Sequence, residues 1–193
     1  LNKYSNYVNF NVQIFKKLKI KTLIISDKKE INKFKSKLVN TICSKKFKSA
    51  IDKFSVGLKR LKTEYMFLLR EDVLIHEYGF KKILKKMLLH KNLVSVSGLQ
   101  FIALSKNYNF IFPHNPRTVR FNYDRIKHKD IKWKIHNVLR DSPEIYWTFH
   151  KTKIVKNYWN RLYLKDKYFN DKNLSEYFLI FYFLSYGDIS FEP

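Results

Sequence analysis

From Leu61 to Glu77 the chain reads Leu-Lys-Thr-Glu-Tyr-Met-Phe-Leu-Leu-Arg-Glu-Asp-Val-Leu-Ile-His-Glu. Tyr65 to Leu69 is a short apolar run bounded by charge, the pattern of a strand buried on both faces. Glu71 and Asp72 follow directly, and a helical pattern opens near Phe80. Two carboxylates just past the carboxyl end of a central strand stand where open α/β sheets bind ligands. Carboxylate oxygens in that position hold Mg²⁺ or Mn²⁺, and the ion takes a substrate's phosphate oxygens. The same pair also suits a solvated acidic turn.

On either side of this stretch, helix and strand patterns alternate. Residues 2 to 18 carry Tyr4, Tyr7, Val8, Val12, Ile14, Phe15 and Leu18 at approximately helical spacing. Thr22 to Ile25 is a short β-rich run ending in the polar pair Ser26-Asp27. Lys28 to Asn40 has helix or loop spacing, Ile42 to Phe47 suggests a short strand, and Ile51 to Leu61 reads as a basic helix with Gly57 inside it. Phe80, Ile83, Leu84, Met87 and Leu88 form the inward face of a helix whose lysines point out. Leu93 to Val96 is the next strand, broken at Gly98, and Phe101 to Leu104 with Phe110 to Phe112 resembles a hairpin.

Val119 to Tyr123, Ile131 to Ile135 and Ile145 to Phe149 read as further strands, and a helix is expected from Thr152 through Tyr158. Asn173 or Ser175 suits the cap of a last helix, apolar nearly all round, which Gly187 stops before a strand over Ile189 to Phe191. This is an α/β pattern, and no repeat or linker divides it, so a single domain over residues 1–193 is expected.

A 193-residue chain that is 45% hydrophobic and 17% aromatic has ample material for a core. The net charge of +23 raises nucleic acid or an anionic membrane as partners. Arginine occurs only at 60, 70, 117, 120, 125, 140 and 161, and the excess is nearly all lysine in a chain crowded with Asn, Ile, Phe and Tyr. Those residue types rise together in AT-rich coding sequence, so much of the charge is read as solvated faces. Nucleic-acid binding is the lesser reading. The single Cys43 makes no internal disulfide, and the histidines share no metal-ligand spacing. A start at Leu1 suggests a piece of a longer protein, with room for a membrane anchor outside it. No run is apolar for long enough to span a bilayer.

Three segments together resemble the GT-A-fold glycosyltransferases, closest in flavour to family 2-like and N-acetylgalactosaminyltransferase-like members. Ser55-Val-Gly-Leu-Lys-Arg-Leu-Lys-Thr-Glu-Tyr-Met-Phe-Leu-Leu-Arg-Glu-Asp-Val is similar to the segment in which a small residue, Gly, Thr and Tyr lead to an Asp-x-Asp motif. Ile145-Tyr-Trp-Thr-Phe-His, then Trp159-Asn, resembles the acceptor-side strand and the Trp-Asp after it. Glu176-Tyr-Phe-Leu resembles the acidic Glu-Asp-Phe-Phe-Leu segment. Order and spacing fit from Thr22 to Pro193.

The resemblance implies a GT-A-like, Rossmann-like mixed sheet flanked by helices, lacking the family's first strand and its C-terminal extension. It implies an inverting, metal-dependent transferase that moves a sugar from a nucleotide-sugar donor, UDP-linked by the same likeness, to the hydroxyl of a glycan or glycoconjugate. Asp27 would contact the nucleoside, and Asp72 would hold Mn²⁺ or Mg²⁺ against the diphosphate. Arg70 and Glu71 would line the donor site, and Glu176 would be the general base on the acceptor hydroxyl. The family's setting is the Golgi or another secretory lumen in eukaryotes and the cytoplasmic face of the membrane in bacteria. Arg70 stands where the family's first motif Asp stands, and its guanidinium pairs with phosphate rather than metal. Glu176 replaces Asp, and Tyr177 replaces Phe. A GT-A-like binding or scaffold domain without turnover is therefore the alternative.

Overall fold

The computed structural model describes residues 5–47, 49–70, 73–98, 101–103, 111–113, 130, 132, 148–163 and 179–192. It is a mixed α/β structure, compatible with a Rossmann-like arrangement, and it divides into two compact units. The first unit comprises residues 1–62 and 69–77, and the second comprises 63–68 and 78–193.

The first unit is built on two parallel strands. Helix α1 (Ser5–Lys17) leads into β1 (Thr22–Ser26), a 3-10 turn over Lys29–Phe34, β2 (Val39–Cys43) and helix α2 (Ala50–Arg60). β1 and β2 pair in register from Thr22 opposite Val39 to Ser26 opposite Cys43. The core joins Val12 of α1, Ile31 and Phe34 of the 3-10 turn, and Val39 of β2, with Val8, Ile24 and Cys43 packed against them. α1 closes on a Schellman motif, in which Ile20 N–H reaches the Phe15 carbonyl at 2.8 Å and Lys19 N–H the Lys16 carbonyl at 3.0 Å. Lys19 takes the left-handed conformation, φ 56°, where glycine is the usual occupant. α2 opens on a reciprocal capping box: Asp52 N–H donates to Ser49 Oγ, and Ser49 N–H donates to the Asp52 carboxylate. Gly57 lets α2 lie close to β1, because a Cβ there would sit 2.9 Å from Ile25 Cδ1.

The second unit holds a four-stranded mixed sheet. Its strands are β3 (Tyr65–Phe67), β4 (Leu93–Gly98), β7 (Thr148–Lys151) and β8 (Asp188–Glu192), in the spatial order β3-β7-β4-β8. β7 runs antiparallel to both neighbours, and β4 and β8 are parallel. A separate hairpin pairs β5 (Phe101–Ala103) with β6 (Ile111–Pro113), as the sequence suggested. Helix α3 (Glu77–Leu89) buries Phe80, Ile83 and Met87, and the Phe67, Phe80 and Phe149 rings meet with centroids 4.9 to 5.1 Å apart. α4 (Thr152–Tyr158) buries Ile154, Val155 and Tyr158, and residues 179–184 are helical.

Several expectations are corrected. β3 is three residues long, half-buried, and the end strand of the described sheet. The strand buried on both faces is β4, flanked by β7 and β8. Residues Phe34 to Asn40 turn earlier than their spacing suggested, so β2 begins at Val39. Lys132 is helical rather than extended, its N–H held by the Asp130 carboxylate at 2.9 Å in the manner of a helix cap. Gly187 ends its helix with no positive φ. A Cβ there would press on the Asn92 carbonyl and Val94 Cγ1, beside the irregularity in β4–β8 pairing between Leu93 and Ser95. The strand expected over Val119 to Tyr123 and the caps at Asn173 and Ser175 lie outside the described residues.

Candidate functional site

β1 delivers its polar pair to the carboxyl end of a parallel strand. Ser26 is buried, its carbonyl accepts Ser44 N–H at 3.1 Å from the end of β2, and its Oγ accepts Lys28 N–H at 3.1 Å. Asp27 is the next residue and is partly exposed. Lys53, in the first turn of α2, donates to Asp27 Oδ1 at 2.6 Å. That bond, with a backbone hydrogen bond and the lysine's charge, holds the Asp27 carboxyl below its ordinary range. The arrangement gives a fixed carboxylate and ammonium side by side at a strand end, able to accept from hydroxyls and to pair with an anion.

In the second unit, strand directions bring several ends to one edge of the sheet. Phe67 pairs with Phe149 and Ser97 with Thr148, so β3 and β4 finish where β7 begins, and Gly98 lies opposite Glu192 at the finish of β8. The carboxyl ends of three strands therefore share an edge, the side on which α/β sheets take ligands. Behind that edge lies a buried polar pair, with Ser95 Oγ 3.0 Å from His150 Nδ1 and the His150 ring against Phe183. His150 is 2% exposed, so it is a structural histidine of the sheet.

Of the expected site residues, Asp27 and Arg70 are described, and Arg70 is exposed. Glu71, Asp72 and Glu176 lie outside the described residues. The residues leading away from the motif are tied down by a side chain that sequence reasoning passed over. Asn11 of α1 donates from its amide nitrogen to the Val73 carbonyl at 2.6 Å and accepts Ile75 N–H on Oδ1 at 2.9 Å. Its position among Val8, Val12 and Phe15 on the helix's inward face was the available signal: an amide there has to find partners.

Among the described residues no group of three His, Cys, Asp or Glu side chains is placed to hold a metal ion. Asp27 is engaged by Lys53, and Arg70 is cationic, so the described residues do not fit a divalent cation. The metal expectation rests on Asp72 alone. A surface groove of about 320 Å³ between α1 and the 3-10 turn is lined by Asn6, Asn9, Gln13, Lys16, Lys33 and Phe34, none of them an expected site residue. No described helix is long and apolar enough to cross a membrane. Compared with known proteins, the chain matches no family model and none of the curated proteins.

Proposed function

We propose that this chain is a nucleotide-sugar-dependent glycosyltransferase with a GT-A-like sheet. The reading is supported by one observation above the rest. The strand that leads to the Arg70-Glu71-Asp72 segment and the strand that resembles the family's acceptor side are far apart in sequence, yet β3 and β7 pair directly, Met66 opposite His150. Donor-side and acceptor-side elements of such an enzyme have to be neighbours, since the sugar passes between them.

In this reading Asp27 accepts hydrogen bonds from the nucleoside, and Arg70 and Lys53 offset charge on the diphosphate. Glu176 accepts the proton of the acceptor hydroxyl as the new glycosidic bond forms and the nucleoside diphosphate leaves. A second reading, a GT-A-like binding domain without turnover, is favoured by Arg70 in the place of a ligating carboxylate and by the engagement of Asp27 with Lys53.

Isothermal titration of nucleoside diphosphates into the purified chain, with Mn²⁺ and with chelator, tests the proposal on wild type and Asp72→Ala. Binding of one nucleotide that needs the cation and is lost in the variant is the expected result. Nucleotide binding with no transfer from any sugar conjugate would select the second reading. A folded chain that binds no nucleotide under either condition overturns both.

A further inference from the structure

We propose that the outward face of α3 is a contact surface for anionic membrane lipid. Tyr78, Lys82, Lys85 and Leu89 lie at intervals of four, three and four residues, a single stripe along the helix, with Lys81 and Leu88 in the row beside it. This stripe faces away from Phe80, Ile83 and Met87, which the helix buries. Tyr78 and Leu89 are each 65% exposed and Leu88 is 56% exposed, and Lys81 and Lys85 are exposed between them. The Lys82 ammonium sits 5.7 Å from the Tyr78 ring centre, which draws its charge toward the same surface. Within the helix's own sequence the one acid is Glu77 at its start, which binds Lys17 at 2.8 Å.

The chemistry of the stripe selects the occupant. Lysines alone would serve any polyanion, including nucleic acid, and the net charge of +23 favours all of them. Phosphates of a nucleic acid reward the lysines and leave Leu88 and Leu89 in water. A lipid surface takes both: acidic headgroups meet the ammonium groups, and the leucines and the tyrosine ring enter the boundary below them, while long lysine stems reach back to the headgroups. Basic residues with exposed leucine and an aromatic on one helical face are the composition of a helix that lies in the plane of a membrane surface.

Co-sedimentation of the whole chain with phosphatidylcholine vesicles, with and without phosphatidylserine, tests the proposal. Wild type is expected to bind only the vesicles containing phosphatidylserine. Leu88→Ser/Leu89→Ser, which leaves charge unchanged, and Lys81→Gln/Lys85→Gln should each weaken binding at least about tenfold. All four side chains are exposed, so circular dichroism should show both variants folded as wild type. Failure to bind phosphatidylserine vesicles would overturn the proposal, as would undiminished binding by the leucine variant. A single-stranded oligonucleotide that competes fully and binds both leucine forms alike would transfer the face to nucleic acid and overturn it too.

Discussion

Asn11 and Ile75 are joined by a 2.9 Å hydrogen bond from the Ile75 N–H to the Asn11 side-chain oxygen, across 64 residues of chain. The same amide reaches the Val73 carbonyl, so one side chain ties down the backbone from Val73 to Ile75. Asn11 is 3% exposed. Asn11→Ala leaves an N–H and a carbonyl without partners, and it should lower stability by about 1–3 kcal/mol. Urea unfolding measures this directly, and a change below about 0.5 kcal/mol, the level of an ordinary surface substitution, would show that the amide does not act as a clamp.

The Asp27–Lys53 pair gives a pH signature. The folded-state pKa of Asp27 is depressed, first by the hydrogen bond from Lys53. Its contribution is therefore present above the carboxylate's ordinary value of 3.8 and is lost as pH falls through the lower folded value. Carbon-detected NMR titration should find Asp27 ionising below 3.8, and Lys53→Met should return it toward that value. An Asp27 titration identical in the two proteins would remove Lys53 as the cause.

Lys19 carries a backbone cost that glycine would not. At φ 56° its Cβ crowds the following carbonyl, a penalty of roughly 1–2 kcal/mol for a residue with a side chain. Lys19→Gly should raise stability by about 1 kcal/mol, less whatever the more flexible glycine adds to the unfolded ensemble. A thermal melt that shifts downward would contradict this.

Two glycines should respond differently to alanine. At Gly187 the new methyl meets a backbone carbonyl, that of Asn92, as well as Val94, and Asp188 N–H is itself bonded to Asn92 at 2.9 Å. The start of β4 would have to move, at a cost of about 1–3 kcal/mol. At Gly57 the neighbour is the flexible tip of Ile25, and alanine gains about 0.8–1 kcal/mol of helix propensity. Gly57→Ala should therefore stay within about 1 kcal/mol of wild type, and chemical denaturation of the two variants side by side separates the cases.

Tyr182 supplies an alkaline counterpart. Loss of water around it, with the hydrogen bond its hydroxyl donates to Tyr186, pushes its pKa up to about 12. Because the neutral form is favoured in the folded chain, this contribution is intact below the ordinary tyrosine value of about 10 and is lost as pH rises toward 12. Between about pH 10 and 12 wild type should lose its stability advantage over Tyr182→Phe, as read by urea midpoints.

Much of the element order was legible, because periodic burial is written locally. α2, α3, β4 and α4 follow from apolar spacing and from Gly98, and α4 spans Thr152–Tyr158 as expected. The rank of each strand was not legible. Tyr65-Met-Phe and Leu93-Val-Ser-Val are both short runs rich in β formers, and their neighbours decide which is flanked on both sides: β7 and β8 arrive from beyond residue 147. The position of Asp27 at a strand end was readable from the polar pair closing a β-rich run. Its partner was not, since Lys53 is 26 residues away and lysine is too abundant in this chain for any one to stand out.

The sheet order β3-β7-β4-β8 also bears on how the chain reaches its fold. None of its pairs joins strands that follow one another in sequence, so loop-closure entropy precedes every gain from pairing. The parallel pair β1–β2 needs only the short span through the 3-10 turn. During synthesis the first of these pairings becomes available early, while β3 and β4 emerge long before β7 and β8 exist to cover them. In that interval their unpaired edges and the Phe67 and Phe80 rings are the surfaces a chaperone would meet, and the ones through which an interrupted chain would aggregate.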